Sequence, residues 1–405
     1  MGTGMSRKMK LALAITMLLD YSCTDQYQPN MPEMARAFHV SPAEMGSTIQ
    51  IHLFSCALGI VFVGPISDRM GRRPVILACQ WMQAVSTFTC MCATNLGWFM
   101  AGRVVQGLAA SVYVVVLASM RDCYEDPASS LQAMGTMMTL ILIGPIFAPG
   151  FGGLLGSYFG WRFPFGLLTV VAVLLAFTSC IVVTETAAAR EHSSKIVVQV
   201  RRAIGSRRQL LILVNVGITK SLFDIVISTN GFILEDRYGQ TVLSASLYTA
   251  AFAVSCAMGS WVSGQLSKKP TEVMMMFTPL VLLAALALVL AGIMSESMGG
   301  YLSSIAFLQF AIFPPIMSFH AEFSQDLNDI AGVATSVDLF SQYMLSSVIS
   351  LLGIWAAEQS TRAMLFTMAC LVILTELITR TGICPPTSFF GEALLLSAET
   401  TLAQK

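Results

Sequence analysis

From about residue 9 to residue 380 the chain is a succession of apolar runs, most near twenty residues long, broken by short polar connections. A run of about 20 apolar residues spans a hydrocarbon core of roughly 30 Å as a helix. In lipid every backbone polar group must be satisfied internally, which leaves only helices and closed barrels. A barrel strand needs only about ten residues, so these runs predict an all-α membrane protein. Composition agrees: 55% of residues are hydrophobic and 11% charged, against about 25% charged in a soluble domain. Twelve candidate spans fall near 9–29, 45–66, 75–95, 98–120, 131–156, 163–184, 210–234, 243–266, 272–294, 299–320, 330–356 and 362–380. The first carries Asp20 and Asp25 and the seventh carries Lys220 and Asp224, the least apolar of the set.

Charge bias sets the expected orientation. With the N-terminus inside, seventeen Lys and Arg residues fall on the cytoplasmic side, Arg69, Arg72, Arg73 and Arg121 among them. Only Arg36, Arg162, Arg237 and Arg362 fall outside. An even number of spans then returns the C-terminus to the cytoplasm. The net charge of zero hides this asymmetry and suggests no nucleic-acid partner. The first run is longer than a signal peptide and lacks a small-residue cleavage site. The ten cysteines lack metal-ligand spacing and read as small buried hydrophobes. No N-x-S/T sequon occurs, consistent with a bacterial inner membrane. The expected organisation is a six-helix bundle over 1–184, a polar cytoplasmic connection over 185–209, a second bundle over 210–380 and a cytoplasmic tail over 381–405.

Between the second and third runs lies Gly64-Pro65-Ile66-Ser67-Asp68-Arg69-Met70-Gly71-Arg72-Arg73-Pro74-Val75. Two glycines permit a tight turn and close helix approach, and the arginines anchor the inner face. This segment resembles the G-x-L-x-D-R-x-G-R-R/K signature of major facilitator superfamily transporters. The resemblance implies twelve helices in two pseudo-symmetric six-helix bundles around a central cavity. It also implies that Asp68 faces the positive end of the eleventh helix and that Arg72 pairs with an acid ending the fourth, here Asp122. Gly264-Gln265-Leu266-Ser267-Lys268-Lys269 is a shortened echo in the second half, as repeat symmetry would give.

Further motifs narrow the resemblance. Arg103-Val104-Val105-Gln106-Gly107 is similar to the family's R-x-x-Q-G stretch, whose arginine is linked to proton transfer. The alternative is that Arg103 snorkels to the outer interface. Gly135, Gly144, Ala148-Pro149, Gly152 and Gly153 resemble the antiporter motif, with alanine replacing one glycine; the alternative is a glycine-rich packing helix without directional meaning. Asp25-Gln26-Tyr27-Gln28-Pro29-Asn30-Met31-Pro32, Arg121 to Pro127 and Gly160-Trp161-Arg162 resemble the Bcr/CflA and multidrug facilitator branch of drug:proton antiporters.

An acid inside a span is costly when charged, and such residues mark proton or substrate pathways. Asp25 is therefore the expected proton carrier, with Asp20 as runner-up and Arg103 as the coupling cation; the alternative is that Asp25 merely caps its helix. The two acids lie about 140° apart around a helix, so they cannot face one point. Lys220 and Asp224, at i and i+4, either neutralise each other or line a charged cavity wall. Asp338 has no neighbour in sequence to offset it and faces the cavity or a partner such as Lys220. Tyr27 and Gln106 complete the possible cavity lining.

The expected function is proton-coupled export of small amphipathic compounds by a monomer in the bilayer, with no cofactor. The nearer alternative is transport of a specific metabolite or siderophore; a farther one is a receptor-like scaffold without flux. A membrane enzyme is disfavoured because no nucleophile–base or metal-ligand pattern appears, and His39, His52, His192 and His320 lie in separate regions.

Overall fold

The computed structural model describes residues 5–124, 143–186, 196–265, 270–293, 297–325, 327 and 330–383. Gly135, residues 187–195, Lys268, Lys269 and the tail beyond 383 lie outside the described residues. The described elements are helical, with no strand among them. They are α1 (Arg7–Asp25), a 3-10 turn (Gln28–Asn30), α2 (Met31–Phe38), α3 (Pro42–Met70), α4 (Arg72–Met91), α5 (Leu96–Ala110), α6 (Val112–Cys123), α7 (Ile143–Phe159) and α8 (Arg162–Val182). After the polar connection come α9 (Ile196–Ala203), α10 (Arg207–Phe232), α11 (Val242–Gln265), α12 (Pro270–Ile293), α13 (Met298–Gln325), α14 (Ala331–Gln359) and α15 (Thr361–Ile378).

Polar residues cap the helices where apolar runs give way. Ser6, Asn95, Ser206 and Ser360 each accept a backbone N–H from the first turn of the helix they precede. Ser41 and Glu44 form a reciprocal capping box ahead of α3, with Pro42 at the first helical position. Among the described residues eight helical segments are long and apolar enough to cross a membrane: α3, joined α5–α6, α8, α10 with its π turn, α11, α13, α14 and α15. The seventh run of the sequence is one of these despite Lys220 and Asp224. The first is not, because Arg7, Lys8 and Lys10 crowd one end and Asp20 and Asp25 the other.

The polarity of the molecule is inverted relative to a soluble protein. Phe62, Phe88, Leu174, Ile181, Leu286 and Trp355 are exposed, whereas Gln50, Gln80, Arg103, Gln106, Asn215 and Gln309 are buried. An apolar exterior over a polar interior is what a bilayer selects, since lipid solvates hydrocarbon and rejects unpaired polar groups. The cysteines follow the same logic and correct one expectation. Cys23, Cys56, Cys79, Cys90 and Cys256 are buried, but Cys92, Cys180 and Cys370 face outward, where a thiol behaves as a small hydrophobe.

Within the first part of the chain α3 and α4 pack on α5, α4 on α8, and α1 on α7 and α8. In the second part α10 packs on α13, α14 and α15, α12 on α13 and α15, and α11 on α13. Two long pairings cross between these groups, α3 with α14 and α7 with α11. They define a seam, and the candidate site lies along it.

Candidate functional site

The site begins where α1 ends. Pro29 and Pro32 sit in the first turns of the 3-10 segment and of α2, where a missing backbone N–H costs nothing, so the chain re-enters helix almost immediately. This elbow keeps Asp25, the last residue of α1, inside the molecule at 6% exposure. Gln28 Nε2 donates to Asp25 Oδ1 at 2.7 Å. Together they line a narrow cleft with Pro149 of α7, Phe223 of α10, Thr249 of α11 and Gln309 of α13. The cleft therefore lies on the seam between the two helix groups. Asp25 is not a helix cap in the stabilising sense, because a carboxylate at a helix C-terminus opposes the macrodipole.

Behind the elbow Arg103 is fully buried, which excludes the snorkelling alternative. Its guanidinium donates to the carbonyls of Cys23 (3.1 Å) and Thr48 (3.5 Å) and to Gln106 Oε1. It also lies 4.9 Å from the Tyr27 ring centroid. Gln106 Nε2 passes a hydrogen bond on to Thr87 Oγ1 at 3.0 Å, and Tyr27 pairs with Thr48 at 2.9 Å. Gly107 explains how α5 comes close enough to do this: a Cβ there would sit 2.8 Å from Ser55 Cβ and 3.1 Å from Cys56 N on α3. Arg103 meets no carboxylate in this network. Asp20 lies elsewhere, in a tight void with Thr16, Gln80 and Gln83, as the angular separation from Asp25 requires.

The second group of helices handles charge differently. Lys220 bonds Asp224 within α10, the mutual neutralisation that i,i+4 spacing allows, and its ammonium lies 5.0 Å from the Phe223 centroid. Asp338 of α14 does not meet Lys220. It pairs instead with His320 Nδ1 of α13 at 2.5 Å, away from the Asp25 cleft.

The whole-chain comparison settles the family. Residues 11–351 match the model of the Major Facilitator Superfamily. The chain belongs to that superfamily. It is similar to the bicyclomycin resistance protein homolog of Haemophilus influenzae, 24% identical over 381 residues covering 91% of this chain and 94% of the relative. It is also similar to multidrug resistance protein D of Escherichia coli K12, 26% identical over 290 residues covering 69% and 72%. Among solved structures, a D-xylose-proton symporter superposes with a TM-score of 0.73 at 14% identity, covering 93% of this chain and 97% of the other. An inward-facing bacterial homolog of the lysosomal transporter Spinster gives 0.71 at 16%, covering 92% and 97%. The protein is thus a multi-pass membrane transporter of small molecules, not an enzyme.

The two ends of this transporter hold the remaining motif residues. At the 64–73 turn, Gly71 has φ 99°, a conformation open to glycine, and it separates α3 from α4. Gly64 corrects the expectation of close helix approach, since a Cβ there would meet nothing within 4 Å; its carbonyl accepts from Ser67 Oγ at 2.8 Å. Arg72 is buried and gathers Asp68 (2.6 Å), Asp122 (3.1 Å) and Ser67 Oγ (2.6 Å). The Glu185 carboxylate accepts the backbone N–H groups of Arg72 (2.8 Å) and Arg73 (3.1 Å), capping α4 from a distance. Arg73 clamps the end of α8 through Val183 O (2.8 Å) and Cys180 O (2.9 Å). The resemblance put Asp68 at the start of the eleventh helix, yet its ion pair is with Arg72. Arg121 is the group lying against the first turn of α14, 3.4 Å from where a Cβ on Gly332 would stand.

At the opposite end the groups meet through Gln50 Nε2 to Ser228 Oγ (2.9 Å) and Arg36 to Glu235 (2.6 Å). The α7 glycines serve this contact. Gly152 is pressed against the Gln26 backbone, Gly153 against Ser246 of α11, and Gly144 against Tyr21 of α1; Asn30 Nδ2 donates to Gly152 O at 2.9 Å. Sequence reasoning overlooked Gln28, Gln309, Glu185 and His320 as functional candidates. His320 was visible as an ionisable residue inside a span, and Glu185 as the acid directly after the sixth run. Gln309 carried no signal of its own.

Proposed function

We propose that this transporter is a proton-coupled antiporter exporting small amphipathic compounds by alternating access. In this reading twelve spans form two pseudo-symmetric six-helix bundles, 1–184 and 210–380, joined by the cytoplasmic connection 185–209. Both termini are cytoplasmic, the protein is a monomer of a bacterial inner membrane, and the 64–73 turn lies on the cytoplasmic face. Support for the symmetry comes from the crossing pairs: exchanging each helix for its counterpart six spans on turns α3–α14 into α11–α7.

One observation carries the mechanism. Asp25 is a buried carboxyl that lines a cleft between the two groups of helices, so both substrate and proton can reach it from the seam. Outside the cleft, Arg103 fixes the elbow that presents it through Cys23, Thr48 and Tyr27. Asp20 is the second candidate for the carrier. The Asp68–Arg72–Asp122 cluster and the Gly144 to Gly153 surface are the gating and packing elements around it. The names of the similar proteins, which speak of bicyclomycin and multidrug resistance, support export of drug-like cargo.

The test uses purified protein in liposomes with an imposed pH gradient. Wild-type protein accumulates a drug substrate, and an ionophore that collapses the gradient abolishes the accumulation. Asp25→Asn is expected to lose gradient-driven accumulation by at least about 100-fold, the scale of removing a positioned proton carrier. It should retain substrate counterflow, which needs no net proton movement. Accumulation that survives Asp25→Asn but fails in Asp20→Asn would transfer the role to Asp20. Indifference to both would refute proton coupling through α1.

A further inference from the structure

The cleft also carries information about the cargo. Gln28 spends its amide N–H on Asp25, and this bond fixes which end of the side chain is which. Its Oε1 is left buried without a protein donor, on a residue only 3% exposed. Across the seam, Gln309 Oε1 receives the Cys256 thiol at 3.5 Å. Its Nε2 is left buried without an acceptor, on a residue with 0% exposure. Both residues line the same cleft. One helix group thus offers a free acceptor and the other a free donor, and a buried polar atom without a partner is costly. The remaining wall is largely apolar, supplied by Phe223, Val226, Ile227 and Phe252.

Charge does not favour an ion in this space. The ionised groups that act on Asp25 are Lys220, Asp224 and Arg103. With Asp25 ionised, two acids face two bases, and the cleft presents no net charge to attract a cation or an anion. Recognition then falls to hydrogen bonds and to the apolar walls, the usual division of labour in a small-molecule pocket.

We propose that the cargo is an uncharged, compact, amide-type molecule: an apolar body carrying an N–H that donates to Gln28 Oε1 and a carbonyl that accepts from Gln309 Nε2. Because the two glutamines belong to different helix groups, such a cargo bridges the seam, and binding it favours the closed arrangement of the two groups. A permanent cation satisfies neither glutamine's need as a pair, since it brings no carbonyl for Gln309. The inference rests on the export reading, whose cavity it uses.

The experiment separates the two. Binding is measured on purified protein in detergent, with no gradient, using an aryl-substituted lactam with a free N–H, its N-methyl derivative and tetraphenylphosphonium. Wild-type protein is expected to bind the N–H lactam about tenfold more tightly than the N-methyl compound, the worth of one hydrogen bond lost in a buried site, and more tightly than the cation. Gln28→Leu should erase the preference between the two lactams. Gln309→Leu should weaken both lactams about equally and keep the preference, since both retain the carbonyl. Equal binding of the two lactams to wild-type protein, or tighter binding of the cation, overturns the proposal without needing any variant to fold. Failure of gradient-driven flux with the lactam preference intact would refute the export reading alone.

Discussion

The two helix groups treat buried charge in opposite ways. In α10, α13 and α14 each in-span charge has a local partner of opposite sign: Lys220 with Asp224, His320 with Asp338. In α1 and α5 the charges stand apart. Arg103 is held by carbonyls and a glutamine, Asp25 by Gln28, and Asp20 lines a separate void. A paired charge is fixed, because moving either member exposes the other to a low-dielectric surrounding. A charge held by neutral dipoles can change its protonation state or its partner at smaller cost. The comparison teaches that the first group is built for coupling and the second is built as a scaffold against which it works.

The largest effect that could break this comparison lies in α10. Lys220→Met leaves Asp224, whose Oδ2 already lacks a partner, as an uncompensated buried charge. It should destabilise the protein by about 3–5 kcal/mol, read as a large fall in thermal unfolding temperature in detergent. Adding Asp224→Leu should recover most of that loss. If the double variant is no more stable than the single one, the pair is not self-neutralising and the contrast fails.

Arg103 provides the opposite outcome. Arg103→Gln removes charge-assisted bonds to Cys23 O and Thr48 O and the contact with Tyr27, a cost of about 2–3 kcal/mol. No compensating removal of an acid should recover it, because its network holds none. Arg103→Lys keeps the charge but loses the planar fork, so it should recover only part of the stability. Rescue of Arg103→Gln by Asp25→Asn would reveal a hidden ion pair and erase the difference between the groups.

The sequence made some of this legible and concealed the rest for physical reasons. Apolar runs report helices because lipid imposes them, so the all-helical fold and the Lys220–Asp224 pair, one turn apart, could be read directly. The setting of Arg103 could not, since its acceptors come from α1 and α3 and only the close approach at Gly107 brings them in. Asp338 looked available to Lys220, yet the topology pairs α13 with α14 at this level and gives it His320, eighteen residues earlier in the chain. Gly64 looked like a contact residue because the motif has a glycine there, but only Gly71 bears a conformational demand. The first run was the least apolar for a reason now visible: it delivers both acids to polar pockets rather than to lipid.

A smaller effect tests His320. The His320–Asp338 pair is less enclosed than Lys220–Asp224, with the histidine side chain 25% exposed. His320→Gln keeps a hydrogen-bond donor for Asp338 and should cost about 1 kcal/mol, while His320→Leu should cost about 2 kcal/mol, near the value of a hydrogen bond to a charged group. Gradient-driven accumulation should persist in both, as a scaffold role demands. Its loss in His320→Gln, with stability retained, would give the second group a share in coupling.

The smallest effect belongs to the charge pair that joins the groups at the elbow end. Arg36 bonds Glu235 at 2.6 Å, but its side chain is 58% exposed, and its second contact, with Asp236, is at 3.9 Å. Exposed pairs of this kind contribute about 0.2–1 kcal/mol and are screened by salt. Arg36→Gln should therefore leave thermal stability nearly unchanged. Because the pair bridges the seam, even this small energy biases the equilibrium between closed and open elbow ends by up to about fivefold. A cysteine-free background with single reporter cysteines at positions 50 and 228 reads that bias by crosslinking yield. The yield should fall in Arg36→Gln at low salt and converge with wild type at high salt. A fall that persists at high salt would mean that Arg36 packs the elbow rather than pairs with it, and the seam would then be held by shape at both ends.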